Sequence, residues 1–421
     1  HNARWLPTWN ISGAWNAHEE PWFDTVFNHQ LSHLTFRASY SLTAAPPDAS
    51  LVSSTVVLSA YNPYRLFSSD KESGIHITDL ENSELTYEKK HELNLGLDFG
   101  LFDDRINVSF DMYSRKNFDE IGPVTTEGVG GEVIRYANKA DMKSHGQELS
   151  ISSTNIRSKD FSWMTSFIYS YNTTEITRLT NRSMVIDLIQ GTGYGVNGYP
   201  ARALFSIPFK GLNEDGIPTF MNEKGVVTTD DINFQERDNI GYLKYEGSTD
   251  PKYVGSLGNT FKYKGFSLNF FITYSFGNVI RLDPVFKAQY TDLSSMTKEF
   301  KNRWVVPGDE KYTNIPVILS YRQYYEDTQL SYAYNAYNYS TARIAKGDFI
   351  RMKEITLGYD FNKSWLAKTP LSSLSLKLQA TNLFLFYADK KLNGQDPEFV
   401  NAGGVAAPLP RQFTLTLRAG F

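Results

Sequence analysis

The chain has 421 residues, with 42 Lys and Arg against 46 Asp and Glu, 41% hydrophobic residues and no cysteine. That balance excludes a disordered chain, disulfide or thiolate chemistry, and a cationic nucleic-acid binder. A mean hydropathy of -0.39, with no apolar run near 18 residues, excludes a membrane-spanning helix but not a β-barrel, whose alternating strands average to near-neutral hydropathy. The 28 Phe and 26 Tyr suit a β protein with interfacial aromatic girdles and equally a carbohydrate-binding protein. The start at His1, without Met or a signal peptide, fits an exported mature protein and a fragment alike.

Taken in order, the chain reads as amphipathic strands of period two. Pro7 to Asn16 places Trp9, Ile11, Gly13 and Trp15 on one face. A polar connection with His18, Glu19 and Glu20 leads to Leu34–Leu42, where Leu34, Phe36, Ala38, Tyr40 and Leu42 oppose Arg37, Ser39 and Ser41. After a long loop rich in Pro, Ser and Asp, Leu93, Leu95, Leu97 and Phe99 alternate with Asn94, Gly96 and Asp98. Asp103-Asp104 predicts a tight turn into Ile106, Val108, Phe110 and Met112. A second hairpin joins Glu148–Thr154 to Phe161–Asn172 across Arg157-Ser158-Lys159-Asp160, and a third turns at Lys264-Gly265 between Val254–Tyr263 and Phe266–Tyr274. Further strands run through Ile355–Phe361, Leu374–Ala380 and Arg411–Phe421, with long loops at Thr174–Asp250, up to Lys346, and at Ala388–Pro410. In the last strand Phe413, Leu415, Leu417 and Phe421 alternate with Thr414, Thr416, Arg418 and Gly420. A terminal strand of that kind, ending on Phe, resembles the assembly signal of Gram-negative outer-membrane barrels.

Long and short connections alternate strictly, the pattern of a barrel with short periplasmic turns and long extracellular loops. The expected fold is therefore all-β, a transmembrane antiparallel barrel, with about eleven strands in this chain. An odd count does not fit a closed single-chain bacterial barrel, and an open sheet leaves unpaired edges in lipid at several kcal/mol per group. The chain is thus expected to be part of a larger barrel, completed by a missing amino-terminal portion or a separate chain.

Several stretches carry a family resemblance. They are Leu34 to Tyr40, Glu88 to Phe99 continuing through Arg105, and Asp250 to Tyr253 with Gly258 to Phe266. In the same order follow Arg303-Trp304 with Ile315-Pro316, Gly347 to Tyr359, Thr381 to Phe384, and Asp396-Pro397-Glu398. As an ordered set they resemble the carboxy-terminal half of a TonB-dependent outer-membrane transporter of the SusC/RagA type. The resemblance implies a 22-stranded barrel plugged by an amino-terminal domain, coupling to TonB through a box in that missing portion, and a SusD-like surface lipoprotein as lid. It implies oligosaccharide or peptide cargo and an outer-membrane location. Residues 1–421 then form the carboxy-terminal part of one barrel domain, with no plug in this chain.

No catalytic constellation, metal site or cofactor is expected. His1, His18, His29, His33, His76, His91 and His145 lack metal-ligand spacing, and Asp103-Asp104 and Asp230-Asp231 sit at turn signals. Gly128, Gly130 and Gly131 have no strand-to-helix context for phosphate. Asn213 to Gly216 and Asn222 to Gly225 read as hairpin turns in preference to calcium loops. Tyr321, Tyr324, Tyr325, Tyr332, Tyr334, Tyr337 and Tyr339 crowd one external loop, contacting ligand or lid, packing the loop on itself or sitting at the membrane interface. Arg37, Glu92, Asn94, Asp98, Lys377, Gln379 and Arg418 are candidates to line a hydrated lumen or bond to the plug. Two rival readings are a passive porin-like or scaffold barrel and a soluble glycan-binding β protein.

Overall fold

The computed structural model describes residues 5–28, 30–52, 55–62, 73–125, 134–180, 183–284, 298–399 and 410–421. His1, His29, Gly128, Gly130 and Gly131 lie outside the described residues. The main element is an eleven-stranded antiparallel sheet in which each strand pairs with its neighbours in chain order. Its strands are β1 (Trp9–Asn16), β2 (Leu31–Ala45), β3 (Glu88–Leu101), β4 (Ile106–Thr125), β5 (Ile134–Arg157) and β6 (Phe161–Leu179). They continue with β7 (Tyr253–Tyr263), β8 (Phe266–Phe276), β9 (Phe349–Asp360), β10 (Ser373–Ala388) and β11 (Gln412–Gly420).

The register gathers the apolar residues onto one face across the whole sheet. Ile11 stands opposite Tyr40, Tyr40 opposite Leu93, and Leu95 opposite Met112. The row continues through Phe110–Leu149 and Leu149–Tyr169, and through Leu257–Ile272 after Phe167–Leu257. Leu268–Leu357, Leu357–Leu378 and Leu378–Leu415 carry it to the last strand. A one-residue slip in any pair would turn that strand's aliphatics to the other face, so the shared apolar face fixes the register. Among the described residues none covers the last strand's part of it: Phe413, Leu415 and Leu417 are 70%, 68% and 66% exposed.

Short connections all lie at one end. Phe102, Asp103 and Asp104 turn β3 into β4 with φ of 57°, 53° and 60°, a backbone region that Asp tolerates better than most residues. Lys264, at φ 47°, turns β7 into β8. The β1–β2 connection is more structured than its polar residues predict, since it holds helix α1 (Phe23–Phe27) with Phe23 buried. Strands also run further than their alternating cores: β4 has 20 residues and β5 has 24, beyond the about 9–11 that span a bilayer. Most of what reads as loop between Met112 and Glu148 is therefore paired strand.

The two longest connections depart most from the expectation of separate loops. Residues from 185 to 337 share one hydrophobic core, built on Val185, Leu188, Ala203, Ile207, Phe220, Leu243, Phe300 and Tyr337. Helix α2 (Val185–Ile189) and the ribbon Ala203–Ser206 with Lys244–Ser248 come from the first connection. Helices α3 (Tyr321–Glu326) and α4 (Gln329–Asn338) come from the second. Ile207 bridges them, donating its N–H to the Tyr339 carbonyl at 3.1 Å while its own carbonyl accepts from Thr341 at 3.0 Å.

Candidate functional site

Two surfaces have functional chemistry: the polar face of the sheet and the loop body above it. On the polar face Arg37 lies flat over Gly96. Its Nε donates to Asp98 Oδ2 at 2.6 Å and its Nη2 to Asp111 Oδ2 at 3.0 Å. Ser109 Oγ donates to Asp98 at 2.6 Å. A Cβ on Gly96 would stand 2.6 Å from Arg37 Cζ, so glycine is what admits the guanidinium there. One step along the strands Glu92 pairs with Lys90 at 2.9 Å and Arg115 at 3.0 Å. Further along, Arg178 pairs with Asp141 at 2.6 Å and Lys89 with Asp119 at 2.8 Å. Charge on β2–β6 is thus largely matched within the sheet, and strand register supplies each partner.

The polar face of β9–β11 differs. Lys377 faces Thr416, Gln379 faces Thr414 and Arg418 faces Ser375. Lys377 and Arg418 are exposed, which leaves this side open to groups from outside the chain. Asn94 keeps a buried Oδ1 without a partner. The sequence-predicted lumen set therefore divides: Arg37, Glu92 and Asp98 are bound within the sheet, whereas Lys377, Gln379 and Arg418 remain available.

The tyrosine-rich segment divides as well. On α4, Ala333, Tyr334, Ala336 and Tyr337 form the buried side. Tyr334 donates its hydroxyl to the Val317 carbonyl at 2.6 Å, and Tyr337 packs edge-on to Phe209 at 5.6 Å. Burial pushes the Tyr337 hydroxyl up to about 12. For Tyr334 and Tyr337 the structure shows loop packing, since Tyr337 is part of the shared core and Tyr334 is buried beside it on α4. Tyr339, half-buried, lies against the Arg281 guanidinium at 5.8 Å. Tyr325 and Tyr332 are exposed, and Tyr321 and Tyr324 lie on α3, their side chains outside the described set.

Three arginines missed by the sequence reading tie this body together. Arg281 is buried and donates to the Phe205 carbonyl at 2.6 Å, Ser206 Oγ at 3.1 Å and the Ser340 carbonyl at 3.1 Å. Burial draws its guanidinium down to about 10. Arg343 pairs with Glu299 at 2.6 Å and donates to the Asp283 carbonyl at 2.7 Å. Arg351, at the outer end of β9, holds Asp396 and lies 3.3 Å from Glu398, so the Asp396-Pro397-Glu398 landmark docks the last loop onto the sheet. The available signal was an arginine inside an apolar run, Val279-Ile280-Arg281-Leu282, because a buried cation requires carbonyl or carboxylate partners.

Both Asn-Gly segments are turns. Asn213 and Asn222 each accept backbone N–H groups with their side-chain oxygens, and Gly216 and Gly225 both take φ 74°. Among the described residues no three His, Asp or Glu side chains converge as metal ligands. Most of the charged groups of β2–β6 and of the loop body are spent on one another.

A broad antiparallel sheet with one exposed apolar face and one polar face, carrying a folded body on its long connections, has the design of a membrane-barrel wall. No family model matches the chain. It is 26% identical over 402 residues to TonB-dependent receptor P3 of Formosa agariphila, covering 91% of this chain and 37% of that protein. It is also 26% identical over 434 residues to TonB-dependent receptor SusC of Bacteroides thetaiotaomicron, covering 98% of this chain and 40% of that one. The solved RagAB peptide transporter shares the fold, with a TM-score of 0.74 and 22% identity over 98% of this chain and 43% of that chain. The chain thus spans well under half the length of the curated relatives it matches. Over nearly all of its length the chain is therefore similar to part of the TonB-dependent receptors of the SusC type, and its fold to that of the solved RagAB transporter.

Proposed function

We propose that residues 1–421 form the carboxy-terminal wall of a plugged, TonB-energised importer that takes up oligosaccharides or peptides with a SusD-like surface lipoprotein. The observation that carries this reading is the continuous, uncovered apolar face of the eleven-stranded sheet. In water, burying a side chain the size of Leu or Phe is worth about 1.5–3 kcal/mol, and a soluble protein would not forgo that gain along eleven strands. Hydrocarbon on that side removes the penalty.

Strand parity supports the rest. With eleven strands in an antiparallel meander, β1 and β11 run in the same sense. They cannot pair antiparallel with each other, so closure takes an odd number of additional strands. Eleven more would give the 22 of the plugged transporters. Lys377, Gln379 and Arg418, unmatched within the sheet, then face the plug, and Tyr325 and Tyr332 on the crown face cargo or lid. The wall and crown frame the transport path, and energy enters through the plug.

Fractionation with an uptake assay tests the proposal. The protein should leave the outer-membrane fraction only with detergent, together with a lipoprotein partner. Uptake of labelled oligosaccharides or peptides should stop when the proton gradient is collapsed. Uptake that survives the collapse supports a passive porin instead, and a detergent-free soluble monomer overturns the membrane wall.

A further inference from the structure

Charge at the short-turn end of the sheet is segregated. Three neighbouring turns are laced into one rim by their backbones: Lys264 N–H donates to the Asp160 carbonyl at 2.9 Å, and Asp360 N–H to the Gly265 carbonyl at 2.8 Å. On this rim Arg157, Lys159, Lys264, Lys363 and Lys368 are all exposed, against the carboxylates Asp160 and Asp360. None of the five cations enters an ion pair among the described residues. The turns on the other side, β1–β2 and β3–β4, carry Glu19, Glu20, Asp24, Asp103 and Asp104 against Arg105.

Exposed aromatic rings stand among the cations. Tyr263, Phe266 and Trp365 are open to the surroundings, with Lys264 Nζ 5.3 Å from the Tyr263 ring centroid. Phe266 lies on the apolar face, 4.5 Å centroid to centroid from Tyr359, so the lipid-facing surface runs directly into the basic turns. Helix α5 (Lys363–Leu366) buries Leu366 beneath it and leaves Trp365 outside. Amphipathic rings next to unpaired lysines are the side chains that settle at headgroup depth, and clustered cations beside an apolar surface attract anionic lipid.

We propose that this basic arc, from the β5–β6 turn to the β9–β10 turn, docks on anionic phospholipid headgroups of the leaflet facing the short turns. The arc fixes the depth and tilt of the wall on that side, while the acidic turns of β1–β4 repel the same headgroups. The inference rests on the membrane-wall reading above, and names the lipid class that reading leaves open.

The test uses the intact outer-membrane protein that contains this chain, placed in phosphatidylcholine nanodiscs with a minor share of phosphatidylglycerol. Spin-labelled versions of each lipid report the fraction held at the protein boundary. Phosphatidylglycerol should be enriched over phosphatidylcholine at low salt, and the enrichment should fall at high ionic strength. Lys159→Gln, Lys264→Gln, Lys363→Gln and Lys368→Gln should each lower it, by up to about fivefold. Lys311→Gln, in the crown, should leave it unchanged. Equal boundary fractions of the two lipids, or an enrichment indifferent to the four substitutions, overturn the proposal. Failure to enter either bilayer overturns the wall reading as well, whereas entry without charge selectivity overturns this inference alone.

Discussion

In the sheet, Phe413 and Leu415 stand with about two-thirds of their surface open; in the crown, Ile207 and Phe220 are at 0%. The same residue types are treated in opposite ways within one chain because the two regions meet different solvents. The crown solves the problem of a small water-facing protein, closing Val185, Leu188, Phe220 and Tyr337 around one core and holding its buried arginines by their terminal nitrogens on carbonyls, a hydroxyl and a carboxylate. The sheet keeps its polar groups on one side and leaves its aliphatics outside, which is stable only against hydrocarbon. Packing drives the first, and the surrounding phase drives the second.

The sharpest way to break that contrast is to hollow out the crown. Phe220→Ala should cost about 3–5 kcal/mol of crown stability, read as accelerated amide exchange in 185–248 and 298–343 while exchange in β7–β11 is unchanged. Leu415→Ala, outside any protein core, should leave no such signature. If both substitutions act alike, crown and wall are one cooperative unit.

Next in size is a charge on the outer face. Ile272→Arg, on the apolar face near the middle of β8, should cost about 2–4 kcal/mol, measured as a lower unfolding midpoint in vesicles. A similar shift in Arg418→Leu, on the opposite face, would remove the distinction between faces. Smaller again, Gly96→Val forces Arg37 off its two carboxylates, because the new Cβ would meet Cζ at 2.6 Å; overpacking of this kind costs about 1–3 kcal/mol. Gly13→Val, where nothing lies within 4 Å of the added Cβ, should be near neutral by the same assay.

The smallest effect is in the crown's response to acid. Backbone N–H groups of Asn239 and Asp238 hold the Glu236 carboxyl below its usual range. A carboxylate with a depressed folded pKa stabilises above the ordinary carboxylate range, and that contribution is lost as pH falls through the folded value. Acid should therefore loosen the 236–239 turn, seen as increased proteolysis there. Glu236→Gln, which keeps an acceptor without the charge, should flatten that pH dependence.

How much of this was legible in sequence follows from the same physics. Alternation reports a face directly, so the strands around Leu93–Phe99, Phe266–Tyr274 and Phe413–Phe421 were visible, as were the turns at Asp103-Asp104 and Lys264-Gly265. Pairings across the polar face were not: Arg37 meets Asp98 sixty-one residues away, a partner that only register defines. The crown was opaque because its core residues come from two connections with β7 and β8 between them, and its ribbons are too short for a period to emerge. The tyrosines misled for a simpler reason. Counted by type they form a cluster, but on a helix Tyr334 and Tyr337 fall on one side and Tyr332 on another, so Ala333 and Ala336 beside them marked the buried face.

The like-directed margins of the sheet have an evolutionary consequence. A tandem of two identical walls would bring down-running strands together at each seam, and no antiparallel ladder could form there. Doubling a gene for this segment would therefore not yield a fully antiparallel ring. An unbroken antiparallel ladder would need a neighbour of the opposite polarity at each border, which a second copy of this wall does not offer.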